Sequence, residues 1–403
     1  MSYRSNHIRV GIDAGDVRGA DNRAIQIAID ALPQEGGTVE VLPGEYICAD
    51  SVHLRSRVRL VGAGDKTILK RADGFRVAMA IDADYGQLKI TPVNIAPFRV
   101  GQGLYVRDDR SAGWLDSVVT VSRVENGAIH FNEPLVLDYS EERAGEVIAS
   151  GAVVSGVDVE DATVEALVAD GNKAHNFLVD GCQSGCVYFN RSSRVTIADV
   201  HVRDFAGDGI SFQITRDFHI ERVHISGCTN YGMHPGTGST RVLMRDCRFT
   251  ENAVGGFFLC WRVQESRFEN IVSERNAEWG VNIGHKDTDN VFVGGRFSNN
   301  GRVGVIFRQE NAKNGGHRNM FTRCVIEDNG QAGIDVVGHA HDVDFVSSVI
   351  RNTRGAAGTQ RVGIVLGEHA RRFRSTDCTW EGHADGNVRD LSGPEGNHKL
   401  DAR

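Results

Sequence analysis

Two stretches hold residue types suited to acid–base chemistry on a sugar. One is Gly284-His285-Lys286-Asp287-Thr288-Asp289-Asn290, flanked at similar distances by Trp261-Arg262 and by Arg308-Gln309-Glu310. The other is Tyr231-Gly232-Met233-His234-Pro235-Gly236-Thr237-Gly238. In β-elimination from a uronide, a base removes the proton beside the carboxylate and a cation neutralises the enolate-like charge. His285 or Lys286 is then the candidate base, His234 or Tyr231 the candidate acid, and Arg262 and Arg308 the groups facing the anion. Hydrolysis needs two carboxylates at a controlled separation. Asp287, Asp289, Glu310 and Asp335 would supply such a pair, so hydrolysis or intramolecular glycosyl transfer stays open beside elimination. Tyr231, Trp261 and Trp279 are candidate stacking platforms for sugar rings.

Each feature has a plainer reading. Asp289 and Asn290 alone suit a polar turn whose side chains satisfy backbone amides. His234 suits a glycine-rich corner with an exposed imidazole. His and Lys side by side, one repeat from Trp261-Arg262 and one from Arg308-x-Glu310, point to a site instead. Asp287-x-Asp289 would contribute to a Ca²⁺ site, but two carboxylates fall short of a Ca²⁺ shell. No cofactor is expected, with Ca²⁺ the one open exception. The eight cysteines sit mostly singly in apolar stretches, as reduced core thiols do, and Cys182-x3-Cys186 has the wrong spacing for zinc.

An internal repeat positions these groups. The segments around Gly185, Gly209, Gly232, Gly256, Gly280, Gly304, Gly333 and Gly363 align, with steps of 23 or 24 residues and then of 29 and 30. After each glycine, apolar residues alternate with variable ones, the period of a short strand with one buried face. A second apolar stretch follows in each unit, as in Arg194-Val-Thr-Ile197 and Asn290-Val-Phe-Val293, with Asn- or Gly-rich corners such as Glu251-Asn252 and Asn299-Asn-Gly301. Short strands without intervening helices predict an all-β, right-handed parallel β-helix, a solenoid of rungs of about 24 residues. The Leu-x-x-Leu-x-Leu frame of a leucine-rich horseshoe is absent. Stacked rungs put equivalent positions in columns about 4.8 Å apart, so His234, Trp261, Arg262, His285, Lys286, Arg308 and Glu310 should share one edge.

Residues 1–74 read as a capping helix and the first rungs: Asp21-Asn22 precedes an amphipathic helix stopped by Pro33 and Gly36-Gly37. Residues 75–150 break the repeat, and Asn126-Gly127 between alternating stretches predicts a hairpin within a small β insertion. The β-helix with the candidate site spans 151–382, and 383–403 is a polar tail or a last cap. The chain of 403 residues has 47 Gly against 7 Pro, 40% hydrophobic and 24% charged residues and a net charge of −8. These numbers exclude disorder, collagen and a general electrostatic grip on nucleic acid. No apolar run is long enough for a membrane span, and the N-terminus lacks a secretory signal. A cytoplasmic location is expected for the chain as written, or secretion if a signal was removed. The expected partner is a carbohydrate, with no nucleic acid or membrane; homo-oligomerisation is open.

Asn22-x-x-Ile25-Gln26 leading to Gly36-Gly-Thr-Val-x-Val-Leu-Pro-Gly-Glu-Tyr46 resembles the opening of the pectate-lyase-like superfamily of right-handed parallel β-helices. The resemblance implies the fold, and a group that includes polysaccharide lyases, glycoside hydrolases, epimerases and phage tailspikes. Tyr231–Gly238 is similar to the Asp-Pro-His signature of mannuronan epimerases, with His234 standing where their Asp would be. Of the polygalacturonase pattern only Gly207-Asp208-Gly209 and Gly284-His285-Lys286 are echoed; its Asp-Asp is missing, which weighs against that hydrolase mechanism. The leading expectation is a carbohydrate-active lyase on acidic, uronate-containing glycans. A glycoside hydrolase on the same groove and a non-catalytic glycan-binding or tailspike-like protein are the alternatives.

Overall fold

The computed structural model of the protein describes residues 6–402. These form two compact units, one running to Phe189 with Val200–Ser211 added, the other made of Asn190–Asp199 and the residues from Phe212 onward.

The first unit opens with strand His7–Gly11 and the helix Asn22–Ala31. Asp21 caps the helix by accepting from the Arg23 and Ala24 amides at 3.1 and 3.2 Å. Arg55 closes the other end, its guanidinium donating to the Ile29, Leu32 and Pro33 carbonyls. The buried face, Ala24, Ile25, Ala28 and Ile29, covers the first coil, whose strands His7–Gly11, Gly37–Val41 and Val58–Val61 pair in parallel.

Residues Arg76–Ile148 leave the coil as a six-stranded antiparallel sheet. It has its own core of Leu104, Val106, Val119, Val121, Ile129 and Phe131. Asn126 and Gly127 turn its hairpin with φ of 49° and 77°, the positive pair a two-residue turn requires. The coil resumes with Val154–Val157, which pairs in parallel with Val52–Leu54, so the sheet is a long excursion from one rung.

The second unit stacks rungs of three strands. One face is the glycine strands: Tyr231–Gly236, Gly255–Phe258, Trp279–Ile283, Val303–Phe307, Ala332–Val336 and Val362–Leu366, each paired in parallel with the next. Met233, Phe257, Val281, Val305 and Ile334 point inward and are fully buried. Behind them Phe292, Phe321 and Phe345 stack with centroids 4.5 and 5.1 Å apart. Where the polar tail is expected, Val388–Asp390 pairs with Ile364–Leu366 and continues the coil.

A buried amide column explains the glycine repeat. Asn252, Asn276, Asn300, Asn329 and Gln360 lie one above another. The Asn300 Oδ1 accepts from the backbone and side-chain amides of Asn276 at 3.1 and 3.0 Å, and its Nδ2 donates to the Ser273 carbonyl at 3.1 Å. A Cβ at Gly280 would lie 2.9 Å from the Asn300 Nδ2 and 2.6 Å from the Gly304 carbonyl oxygen, so only glycine fits. The column ends where the Gln360 Nε2 meets the His383 Nε2 at 3.2 Å.

Bends in the left-handed region form a second periodic feature: Asp217, Arg241, Glu265, Asp289, Arg318, Asp342 and Arg372 all have φ between 51° and 62°. Both signs of charge line this column, and Arg241–Asp217, Arg318–Asp289 and Arg372–Asp342 are two-pronged pairs. The burial-shielded thiols of Cys48, Cys247 and Cys324 are pushed up to about 12, in keeping with inert core cysteines. No helix among the described residues is long and apolar enough to cross a membrane.

Replacing Asn300 by Ala removes the acceptor of the buried Asn276 amide N–H and the Nδ2 donor of the Ser273 carbonyl, and should lower stability by about 1–3 kcal/mol. Denaturant unfolding followed by circular dichroism measures this, and a loss below about 0.5 kcal/mol would contradict the column's role.

Candidate active site

The outward side chains of the glycine strands, and the bend that follows each strand, form the site in the second unit. Arg308 lies at its centre, 18% exposed. Its Nη1 donates to the Leu259 carbonyl at 2.7 Å and to the Asn282 Oδ1 at 3.1 Å, and its Nη2 to the Cys260 carbonyl. The guanidinium lies 5.0 Å from the Phe258 ring centre. This backward reach across a rung needs Gly284, where a Cβ would stand 2.4 Å from the Arg308 Nε.

Asp287 holds Arg308 from beneath. Its Oδ1 accepts from the Val263 amide at 3.0 Å, and its Oδ2 from the Gly284 amide at 2.8 Å and the Arg308 Nη2 at 3.3 Å. Complete burial pushes the Asp287 carboxyl up to about 8, against the pull of Arg308 and the two amides. Glu310 lies on the solvent side. Its Oε1 is 3.5 Å from the Arg308 Nε and its Oε2 is 3.4 Å from the His285 Nδ1. The His285 ring stacks on Trp261 with centroids 4.5 Å apart and a 19° interplanar angle. Trp261 is 46% exposed and presents its indole to solvent beside His285, with the Arg262 guanidinium 6.0 Å from the ring. On the other side Tyr231 stacks on Phe258 at 4.3 Å, and His234, expected exposed, is instead buried edge-on against Phe258 at 5.0 Å because the strand turns its ring into this aromatic cluster.

The structure therefore brings together Tyr231, His234, Trp261, Arg262, His285, Arg308 and Glu310. The other candidates are placed differently. Asp287, a candidate reacting carboxylate, has no exposed surface and positions Arg308 instead. Asp289 belongs to the corner column, bound two-pronged by Arg318 at 2.7 and 2.8 Å. The two carboxylates thus serve Arg308 and Arg318 respectively. Arg308, a candidate anion partner, already donates to protein oxygens. Lys286 is exposed at a left-handed bend (φ 58°), its amide donating to the Asn314 carbonyl. Trp279 packs in an outward apolar cluster with Val303, Ile306, Ala332 and Val362. Asp335 sits between Ile306 and Val365 in the same column, where burial raises its carboxyl above the ordinary range. Phe258, Asn282 and Gly284 were not singled out by sequence reading. Phe258 and Asn282 stand two residues after an aligned glycine, as His234 does, and that column is the signal that marks them. Among the described residues no group of three or more His, Cys, Asp or Glu is arranged to hold a metal ion.

The folded Asp287 keeps its proton to higher pH than its unfolded form, whose ordinary value is 3.8. Its contribution to stability is therefore complete below that value and is lost as pH rises towards about 8. Asp287→Asn should flatten this pH dependence. It also turns one acceptor into a donor facing N–H groups, at a cost of about 3 kcal/mol. Unfolding curves of both proteins across that pH range check both effects.

The family model described as "Right handed beta helix region" matches residues 165–314. No curated protein matches the sequence. Among solved structures, the A-module of mannuronan C-5 epimerase AlgE4 of Azotobacter vinelandii is 17% identical. The match covers 97% of this chain and 94% of that one, with a TM-score of 0.67. The A-module of AlgE6 from the same organism is 16% identical over 97% and 99% of the two chains, with a TM-score of 0.59. The catalytic unit of the GH87 α-1,3-glucanase of Streptomyces thermodiastaticus is 12% identical over 97% and 67%, also with a TM-score of 0.59. With the three-strand rungs, the glycine strands and these likenesses in fold, the chain folds as a right-handed parallel β-helix.

Proposed function

We propose that the protein is a carbohydrate-active enzyme that removes the proton beside the carboxylate of a uronate residue in an acidic glycan, leading to β-elimination. The observation that carries this reading is the couple of His285 and Glu310, 3.4 Å apart, beside the exposed face of Trp261. Glu310 faces one ring nitrogen, which leaves the other as the base for the sugar proton. Trp261 offers a flat apolar surface of the kind sugar rings stack on. Arg262 and Lys286, whose charged ends are not bound to carboxylates, neutralise the substrate carboxylate and the enolate-like charge that forms. Tyr231, on the opposite flank, returns a proton to the leaving oxygen, and His234, 4% exposed, packs edge-on against Phe258 beside it. Arg308 and Asp287 act beneath as positioning residues. The solved epimerases of this fold act at C-5 of mannuronan by their names. This likeness supports the substrate class, while the choice of elimination as the step after proton removal rests on the acid that Tyr231 would supply.

The test is incubation with uronate-containing and neutral glycans in deuterated water. Ultraviolet absorbance and reducing ends rising together mean elimination. Deuterium entering at C-5 without chain cleavage keeps the proton-abstraction site but replaces elimination by epimerisation. Reducing ends without absorbance would mean hydrolysis, with Glu310 and Asp335 the remaining accessible carboxylates, and would sink the proposal. Binding without any product would mark a glycan-binding protein and sink it equally. In an active protein His285→Ala and Glu310→Gln should each lower kcat by about 10²-fold or more, with KM little changed.

A further inference from the structure

A second constellation lies in the first unit, away from the residues of the proposed glycan site in sequence and chemistry. On strand Val154–Val157, Ser155 is the lateral neighbour of His53 on Val52–Leu54. The Ser155 Oγ is 3.0 Å from the His53 Nδ1, and the His53 Nε2 is 3.1 Å from the Asp50 Oδ2. The imidazole therefore bridges a hydroxyl and a carboxylate, the order of groups that activates a serine. The tautomer with its proton on Nε2 donates to Asp50 and leaves the Nδ1 lone pair for the serine proton.

The surroundings fix each member. The Asp50 Oδ1 accepts from the Ser51 amide at 2.8 Å and the Oδ2 also accepts from the Thr120 Oγ1 at 2.9 Å. Burial pushes the Asp50 carboxyl up, and the hydrogen bonds from His53, Thr120 and Ser51 more than offset this, so the group stays ionised at lower pH than usual. The buried Arg71 guanidinium, whose Nε and Nη1 have no hydrogen-bond partner, adds its positive charge near Asp50. Gln26 clamps the His53 backbone from both sides, accepting from its amide at 2.9 Å and donating to its carbonyl at 3.2 Å. The His53 side chain is half exposed, while Ser155 is 6% exposed. So little exposure of the hydroxyl favours a small acyl group.

We propose that Ser155, His53 and Asp50 form a nucleophilic site that hydrolyses short-chain carboxylic esters, an acetyl ester being the fitting size. The Ser155 Oγ bonds to the acyl carbon as its proton passes to the His53 Nδ1. The acyl carbon–oxygen bond to the alcohol then breaks, and that oxygen leaves with the proton from His53. Water, deprotonated by the same nitrogen, attacks the acyl-serine, and Ser155 recovers its proton as the acid departs. Ester and water become acid and alcohol, with no other reactant. Asp50 touches no substrate and is the positioning residue.

The probes are a small alkyl fluorophosphonate, located by peptide mass spectrometry, and 4-nitrophenyl acetate. The expected result is a phosphonyl adduct on Ser155 of the folded wild-type protein, absent in His53→Ala. Release of 4-nitrophenolate should be lost in Ser155→Ala and reduced about 10²-fold or more in Asp50→Asn, with KM little changed. Unmodified Ser155 after exhaustive labelling, or acetate release that survives Ser155→Ala, would overturn the proposal. The wild-type adduct is read without any variant, so a variant that fails to fold does not blunt the test. No glycan enters these measurements, and their outcome is separate from that of the uronate reading.

Discussion

The second unit depends on hydrogen bonds made by buried side-chain amides between one rung and the next. A solenoid rung has no intrinsic reason to stop sliding over its neighbour, since apolar residues tolerate small shifts. The column from Asn252 to Gln360 removes that freedom, because each acceptor oxygen must meet two donors of the preceding rung. Unpaired amides at this depth would each cost about 1–3 kcal/mol, so the register is held firmly. The glycine repeat is its visible trace: Gly232, Gly280 and Gly304 lack side chains because the amide of the next rung occupies the space. Longer steps between Gly304, Gly333 and Gly363 leave the column intact, since Asn300, Asn329 and Gln360 still meet at about 3 Å. The added residues are accommodated beyond the column.

With register fixed, chemistry is sorted by position on the rung. Bends in the left-handed region carry charges that neutralise one another along the stack, as Arg318 and Asp289 do. Such exposed pairs contribute little each, but they take up arginines that a composition count would offer to a substrate. What remains is the edge after the glycine strands. There the imidazole of His285, the carboxylate of Glu310 and the indole of Trp261 are held by contacts among themselves. Arg308 provides the floor and is held in turn by Asp287, a division of labour between groups that meet solvent and groups that aim them.

Much of this was legible in the amino-acid order. Glycine spacing gave away the rungs, Asp21 and Pro33 the helix ends, and Asn126-Gly127 the hairpin, because each depends on local backbone geometry. Column positions placed His234, Trp261, His285 and Glu310 on one edge. The failures have a common cause: the fate of a side chain at a bend turns on one backbone angle. Asp287 and Asp289 are two residues apart, yet one is buried under an arginine and the other lies on an exposed corner with φ of 62°. The direction of Arg308 was equally hidden, since it follows from the missing side chain at Gly284. The pairing of Ser155 with His53 crosses the antiparallel excursion, and no periodic signal reports register across such a gap.

The contact between Gln360 and His383 has a meaning beyond its own strength. A stack of identical amides is an extendable object: each new layer finds donors and acceptors already aligned, the geometry on which cross-β fibres grow. A chain whose last amide faced outward would offer that template to another copy of itself. His383 ends the series with a ring that cannot repeat the pattern, and Asn387 holds the ring by its other nitrogen at 2.8 Å. The imidazole is thus a termination signal, set where self-templated polymerisation would otherwise begin.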